Sequence, residues 1–259
     1  MKTARLTRVA TRLLATLQLT LIFAPLLAPA APASAQTLRP FAEAASDKPA
    51  PPWRVVGLAN TGKALTRFDI VTLDGSRVLR VSADNSYANL IHALPALPVG
   101  QGTLLRWRWR LDKPLPLADL TRRTGDDVPI KVCALFDLPL DKLGAVERSI
   151  LRLARSVSHE FLPAATLCYV WDHRLAVGTE LPNAFTRRVR YVVVNSGTGQ
   201  LKQWVAHERN LAADFQRAFG HETDGGVPPL MGILVGADSD NTDGSSLAYA
   251  SDLVLTPGP

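Results

Sequence analysis

Residues 68–83, FDIVTLDGSRVLRVSA, carry the hairpin signal from which the fold class follows. Each half of this stretch is rich in Val, Ile and other residues that favour extended backbone. Asp74-Gly75 lies between the halves, and this dipeptide is typical of the tight turn in a β-hairpin. The stretch therefore predicts two antiparallel strands, 68–73 and 77–83, joined by a short turn.

Similar short runs recur along the rest of the chain, with Gly, Pro, Asn and Asp between them. This pattern predicts eleven strands in all and an all-β fold, a jelly-roll β-sandwich. The other nine predicted strands are 53–57, 87–93, 103–111, 130–136, 165–171, 187–195, 203–207, 230–237 and 247–255.

Two short helices are expected to pack on the sandwich. The first, 141–160, has an apolar stripe at helical spacing that we expect to face the sheet. The second, 211–219, follows Asn210 as a candidate N-cap and ends before Gly220. The stripe of the first helix consists of Leu143, Val146, Ile150, Leu153 and Val157, with Arg148, Arg152 and Arg155 elsewhere on its surface.

The first 35 residues have the pattern of a secretory signal peptide. Four basic residues and no acid precede an apolar run from 13 to about 28, and Ala33-Ser34-Ala35 then forms a small-residue cleavage site. We expect 1–35 to be removed, 36–52 to be a linker and 53–257 to be one β-sandwich domain. The mature protein would be periplasmic or secreted, with no membrane anchor left after cleavage.

The basic charge of the chain comes mostly from this leader. The whole sequence has 29 Lys and Arg against 23 Asp and Glu, a net charge of +6. Without the leader, 25 bases face the same 23 acids. The excess is then too small to indicate nucleic acid as a partner.

The strand at 105–111, LRWRWRL, separates two kinds of side chain by alternation. The Leu and Trp residues share one face, which suits a sandwich core, while Arg106, Arg108 and Arg110 share the other. Three neighbouring guanidinium groups need anionic partners. Asp126 and Asp127 could supply them in an ion-pair network, or the row could bind an acidic ligand.

The strand at 165–171 offers aromatic side chains for the same ligand surface. Tyr169 and Trp171 lie on one face of this strand, where they could stack on sugar rings or pack in the core. Together with the Arg row, the Asp pair and Lys131, they form the candidate ligand-binding set.

Two further features allow alternative interpretations. Asp238, Asp240 and Asp243 lie in a Gly-containing loop and could hold a structural calcium ion, or they could cap their own backbone. Cys133 and Cys168 could form a disulfide in an oxidising compartment, or they could be two buried thiols.

Six ordered motifs, namely LRWRWRL, GDDVPIKVCALFD, LCYVW, DFQRAFG, GILVGADSDNTDG and AYASDLVL, resemble a bacterial envelope family known as domain of unknown function 3047. The resemblance implies a jelly-roll sandwich of the galactose-binding or carbohydrate-binding-module kind. It implies no activity. Lys131 departs from the family pattern, since an Arg is expected after the Gly-Asp-Asp turn.

Signatures of catalysis are mostly absent from the sequence, and its five His residues have no metal-ligand spacing. The first hypothesis is therefore non-catalytic binding of a glycan or another acidic or envelope polymer, with no cofactor beyond the possible calcium. A lyase-like enzyme acting on an acidic polysaccharide is the second, with Tyr169, Tyr191 or His173 as base. A structural envelope protein is the third. The sequence does not predict an oligomeric state.

Overall fold

The computed structural model describes residues 36–57, 62–158 and 162–258, so the predicted signal peptide lies outside the described residues. All eleven predicted strands are present, with ends displaced by at most four residues, and two very short strands were not predicted. The strands are β1 (Gln36–Thr37), β2 (Trp53–Val56), β3 (Arg67–Leu73), β4 (Ser76–Asp84), β5 (Tyr87–Leu97), β6 (Leu104–Lys113), β7 (Val128–Phe136), β8 (Ala165–Asp172), β9 (Glu180–Pro182), β10 (Val189–Ser196), β11 (Val205–Asn210), β12 (Leu230–Asp238) and β13 (Ser245–Thr256). The helices are α1 (Ala145–Ser158) and α2 (Leu211–Phe219).

The strands form two sheets. The six-stranded sheet has the order β11-β6-β13-β4-β3, with β1 paired to β13, and the seven-stranded sheet has the order β2-β5-β12-β7-β8-β10-β9. All neighbours are antiparallel except β8 and β10, which are parallel. The predicted hairpin is present, with Leu73 paired to Ser76 across the turn at Asp74-Gly75.

The two sheets are linked by strands that alternate between them. From β4 to β7 the chain changes sheet at every strand, and the last two strands then enter the middle of both sheets. β12 lies between β5 and β7, while β13 lies between β4 and β6. This insertion closes the β-sandwich in the jelly-roll manner and confirms the predicted fold class.

The core between the sheets is built around four aromatic side chains. Trp107 and Trp109 of β6 face Tyr169 and Trp171 of β8, and all four are at most 1% exposed. The ring centroids of Trp107 and Tyr169 are 5.1 Å apart, and those of Trp109 and Trp171 are 6.3 Å apart. The alternation in LRWRWRL therefore places its Trp residues in the core, as the sequence predicted.

The segment 36–52, which we expected to be a linker, packs as part of the domain. Its apolar side chains Leu38 and Phe41 are buried in the main core, and the Phe41 ring lies 5.0 Å from that of Trp53. Gln36 pairs with Leu255 at the start of β1. The Ala and Pro content suggested a linker, but the burial of these two side chains fixes the segment on the sandwich.

Helix α1 forms, but its orientation differs from the prediction. Leu143, just before the helix, is buried as expected, whereas Val146, Ile150 and Leu153 are 73%, 62% and 66% exposed. Leu151 is the buried residue within the helix instead. The expected inward stripe is therefore wrong for these three positions, and the side chain of Val157 lies outside the described part of the chain.

Helix α2 is present with the predicted bounds, 211–219. The side chain of Asn210 accepts a hydrogen bond from Ala213 N at 2.9 Å, which satisfies a free amide at the helix start. Leu211, Phe215 and Phe219 are fully buried. Among the described helices, none has the length and apolar character needed to span a bilayer.

Candidate functional site

The Arg row lies on the outer face of the six-stranded sheet, where each guanidinium has a carboxylate partner. Arg106 pairs with Glu208 and Arg108 with Asp252. Arg110 donates to Asp112 at 2.7 Å and also reaches Asp74. The row is therefore an ion-pair network, one of the two alternatives that the sequence left open, but its partners are not the predicted ones.

The predicted partners of this row lie on the other side of the sandwich. Lys131 alternates with the core residues Ile130 and Val132, so it projects from the outer face of the seven-stranded sheet. Asp126 and Asp127 lie just before the same strand. The expectation of one polar surface shared with the Arg row is therefore wrong, because two sheets and the core separate the two groups.

Asp127 and Asp126 have different structural roles. Asp127 accepts hydrogen bonds from Asn241 N at 3.1 Å and Thr242 N at 2.8 Å, which holds the loop between β12 and β13. Asp126 contacts Asn183 and the hydroxyl of Tyr191. Burial raises the pKa of Asp126, with Lys131 acting in the opposite direction.

Lys131 is a buried cation with two specific partners. Its ammonium donates to Asp238 at 2.8 Å and lies 5.3 Å from the centre of the Tyr87 ring. Burial alone would lower the pKa of Lys131, but Asp238 and the two nearby tyrosines raise it above its ordinary value. Burial raises the pKa of Asp238 to about 6, against the opposing effect of Lys131. This pair is a structural ion pair, since both members are enclosed.

The predicted calcium ligands are only partly together. Carboxylate oxygens of Asp127, Asp238 and Asp240 lie within 4.8 Å of one another, and Asp243 is not in this group. Lys131 pairs with Asp238, and Lys63 pairs with Asp240. Because these ammonium groups and the loop amides compensate the charge, the cluster is held together by the chain's own groups.

The remaining residues of the candidate set take structural positions. Tyr169 and Trp171 pack in the core, so the structure selects that alternative over a sugar-stacking platform. Cys133 and Cys168 lie directly opposite each other on β7 and β8 and form a disulfide. The disulfide lies on the outer face of the seven-stranded sheet, where it packs in a small apolar cluster with Leu234 and Val170.

The structure has a cavity that the sequence did not indicate, at the open side of the sandwich. It has a volume of about 400 Å³ and lies where the edge strand β11 approaches β9 and β10. The side chains of Val192 and Val194 on β10 form an apolar part of its wall. The polar residues Glu180, His207, Arg209 and Arg217 line the cavity as well, whereas Glu208 borders it but turns its carboxylate to Arg106 on the outer face of the sheet. We refer to this space as the inter-sheet cleft.

His207 is the most constrained polar group in the inter-sheet cleft. Its ring packs between Trp107 and Trp109, with both ring centroids at 5.1 Å. Asn195 Oδ1 accepts a hydrogen bond from Trp109 Nε1 at 2.7 Å and lies 2.7 Å from His207 Nε2. Since this oxygen can only accept, His207 carries its proton on Nε2, and Nδ1 is left as a hydrogen-bond acceptor.

Electrostatics keep His207 neutral. Burial lowers its pKa to about 4, and the charge of Arg209 acts in the same direction. Arg209 is itself held by Asp214, to which it donates at 2.7 and 2.8 Å. At neutral pH the cleft therefore presents an uncharged imidazole with a fixed tautomer.

The floor and rim of the cleft are braced by hydrogen bonds. Tyr169 donates from its hydroxyl to Asp214 at 2.7 Å, and burial raises the pKa of this tyrosine well above its usual value. Arg217 pairs with Asp214 and also with Glu180 at 3.0 Å. These contacts tie α2 to both sheets and hold the cleft in one shape.

One sequence signal could have located His207. In the antiparallel pairing of β11 with β6, His207 lies opposite Trp107, so alternation gives both residues the same inward face. The strand at 203–207 was predicted, but its pairing with 105–111 was not. Trp204, whose ring lies 5.2 Å below Arg108, was missed for the same reason.

A family model described as a protein of unknown function, DUF3047, matches residues 51–254. The chain belongs to this family. The match covers every strand except β1 and the last residues of β13, so membership in DUF3047 applies to the sandwich as a whole. No curated protein matches the chain.

Solved structures give weaker similarities. An exo-beta-agarase matches at 12% identity and a TM-score of 0.35, covering 86% of this chain and 25% of the agarase. The chain therefore spans about a quarter of the length of that enzyme. Endoglucanase 3 of family GH12 from Trichoderma harzianum matches at 7% identity, a TM-score of 0.37 and coverages of 81% and 98%. The cellulose induced protein Cip1 matches at 11% identity, a TM-score of 0.34 and coverages of 80% and 91%.

Proposed function

We propose that this DUF3047 protein is exported and that it binds a glycan in the inter-sheet cleft without cleaving it. The cleft is the observation that carries the proposal. Its volume of about 400 Å³ falls within the ~300–1,000 Å³ of small-molecule sites. Its walls combine aliphatic surface with hydrogen-bonding side chains in fixed positions, which is the combination that recognises the hydroxyl groups and apolar faces of a sugar ring.

Export is supported by two independent features. The leader of 35 residues ends in a small-residue cleavage site, and Cys133 and Cys168 form a disulfide. Disulfides persist in oxidising compartments and are rare in the cytosol of most bacteria. A periplasmic or secreted protein is consistent with both. N-terminal sequencing of protein from the envelope fraction should then begin at Gln36, and recovery of the intact leader would contradict export with cleavage.

Binding is favoured over catalysis by the state of Glu180, the acid whose side chain faces the cleft. Glu180 is ion-paired with Arg217. A glycosidase needs one acid that stays protonated to donate to the leaving group, whereas an ion-paired carboxylate is suited to accepting hydrogen bonds from hydroxyl groups. The carboxylate of Glu180 is therefore suited to binding hydroxyl groups and not to protonating a leaving group.

The lyase-like alternative loses two of its three candidate bases. Tyr169 and Tyr191 are buried, and burial raises the pKa of each hydroxyl. Their protons are used in hydrogen bonds with Asp214 and Asp126. A buried tyrosine in this state is a poor base at neutral pH.

Tryptophan fluorescence tests the proposal directly, because the two core Trp rings flank His207. The chain from residue 36 onward would be titrated with neutral and acidic oligosaccharides of the bacterial envelope. We expect a saturable change in emission, and roughly tenfold weaker binding for Glu180→Gln. Asp252→Asn, which removes an ion-paired carboxylate from the outer face of the six-stranded sheet, is the matched control and should bind as wild type does.

Each competing function gives a distinct result in the same samples. Release of reducing ends, or of products absorbing as unsaturated uronates, would show an enzyme and contradict non-catalytic binding. Failure of the whole panel to change the fluorescence, together with the absence of heat on calorimetric titration, would contradict glycan binding and favour a structural role.

A further inference from the structure

The charged groups of the inter-sheet cleft compensate one another. Arg209 donates to Asp214 through two nitrogens, at 2.7 and 2.8 Å. Arg217 pairs with the same carboxylate and, at 3.0 Å, with Glu180. Two guanidinium groups therefore face two carboxylates. Among the described residues that line the cleft, no cation is without an acidic partner.

Strand pairing directs the carboxylate of Glu180 into the cleft. Glu180 lies opposite Val192 of β10, so both side chains project from the same face of the sheet. Val192 belongs to the main core, which makes this the inner face. The side chain of Glu180 is 38% exposed, so a ligand in the cleft can reach it. When ionised, this carboxylate accepts hydrogen bonds and has no proton to donate.

His207 gives the cleft a second acceptor. Its Nε2 lies 2.7 Å from Asn195 Oδ1, which fixes the proton on that nitrogen. Its Nδ1 has no hydrogen-bond partner among the described residues, and it is not enclosed by the protein, so it is open to the cleft. The ring adds no positive charge at neutral pH, because burial lowers the pKa of His207 to about 4.

These two acceptors determine which ligand chemistry the cleft suits. A sugar hydroxyl group can donate a hydrogen bond to either of them. An ionised carboxyl group on the sugar has no proton to donate, and it would lie near Glu180 with no unpaired cation to offset the repulsion. Bringing like charges together in a binding site is unfavourable, and removing an unpaired carboxylate from water adds to the cost.

We propose that the inter-sheet cleft binds an uncharged sugar residue, whose hydroxyl groups donate to Glu180 and to His207 Nδ1, and that it excludes sugars carrying a carboxyl group. This inference rests on the proposed function, which names a glycan but leaves its charge open. The side chains of Val192 and Val194 then pack against the apolar face of the sugar ring.

Matched pairs of oligosaccharides test this selection in calorimetric titrations of the chain from residue 36 onward. Oligomers of glucose, mannose and galactose would each be compared with oligomers of the corresponding uronic acid, in which C6 is a carboxylate. We expect at least one neutral oligomer to bind. Its uronic acid counterpart should bind at least about tenfold more weakly.

Two variants assign the selection to its residues. Glu180→Gln removes the charge but keeps an acceptor oxygen, so it should weaken binding of the neutral oligomer and strengthen binding of the uronic acid. His207→Gln can still donate to Asn195 but lacks the second ring nitrogen, so it should weaken binding of the neutral oligomer several-fold. Asp252→Asn makes the same kind of charge change on the outer face and should leave the ratio of the two affinities unchanged.

The possible failures of the two proposals are distinct. Lack of binding by every oligomer would contradict the proposed function itself, and this inference with it. Equal or tighter binding of the uronic acid by the wild type would overturn the selection alone and leave glycan binding in place. An unchanged affinity ratio for Glu180→Gln, in protein that thermal melting shows to be folded, would overturn the role of Glu180.

Discussion

Replacing His207 with glutamine should remove a pH dependence that this side chain adds to the stability of the sandwich. Burial lowers the pKa of His207 from 6.5 to about 4 in the folded protein. Well above pH 6.5 neither the folded nor the unfolded state binds this proton. As the pH falls from 6.5 to 4, the unfolded state binds the proton first, so the free energy of unfolding decreases.

The size of the effect follows from the two pKa values. At pH 5 the unfolded histidine is almost fully protonated and the folded one mostly neutral, which costs about 2 kcal/mol of stability. Glutamine retains an amide that can donate to Asn195 Oδ1 but does not titrate. The stability difference between wild type and His207→Gln at pH 7 should therefore shrink by about 2 kcal/mol at pH 5.

The comparison has to use the variant, because other groups titrate in the same range. Burial raises the pKa of Asp238 from 3.8 to about 6. Between those values the folded state binds the proton more strongly, so this acid makes the protein more stable as the pH falls. The two groups act in opposite directions in the wild type, and subtracting the variant isolates His207.

Urea titrations followed by circular dichroism at pH 7, 6 and 5 would measure the difference. Ile70→Val is the control, since it changes core packing on β3, at the opposite edge of the six-stranded sheet from His207, and leaves every titratable group in place. Its difference from wild type should stay nearly constant with pH. A difference for His207→Gln that does not change between pH 7 and pH 5 would refute the reasoning that burial keeps this imidazole neutral.

Three further predictions concern the ion pairs and the disulfide. Replacing Cys133 and Cys168 with Ala should lower the free energy of unfolding by about 3–4 kcal/mol, because the bond closes a loop with a sequence separation of 35; equal urea midpoints would contradict this. Asp238→Asn leaves the charge of Lys131 buried and should cost about 3–5 kcal/mol, much of which a second change, Lys131→Met, should restore in the double-mutant cycle. Arg108→Ala breaks a pair whose side chains are 42% and 57% exposed, so thermal melting should show a loss below about 1 kcal/mol.

The fold was largely predictable because the relevant signals are local. Turn residues such as Asp74-Gly75 mark the strand ends, and alternation in 105–111 shows which face is buried. Helix α2 was predictable for the same reason, since Asn210 caps it through a residue three positions away. These patterns depend on neighbours in the sequence, which a single chain displays.

The candidate site was poorly predicted because it depends on strand pairing. Arg106 was expected to lie near Asp126, its nearest acidic pair along the chain, but its partner is Glu208, 102 residues away on the adjacent strand. The inter-sheet cleft forms because β10 and β11 belong to different sheets. No pattern within either strand's own sequence indicates the sheet to which that strand belongs. The orientation of α1 was missed because Leu151 alone, and not the longer apolar stripe, is used for packing.

The central positions of β12 and β13 have a consequence for how the protein folds. Until residues 230–256 have been synthesised, β5 and β7 lack the strand that joins them, and so do β4 and β6. The chain therefore cannot complete either sheet early, and its long-range strand pairs favour slow, late folding. Late completion of both sheets suits the proposed export, since a chain that folds late can still pass unfolded through a narrow translocation channel.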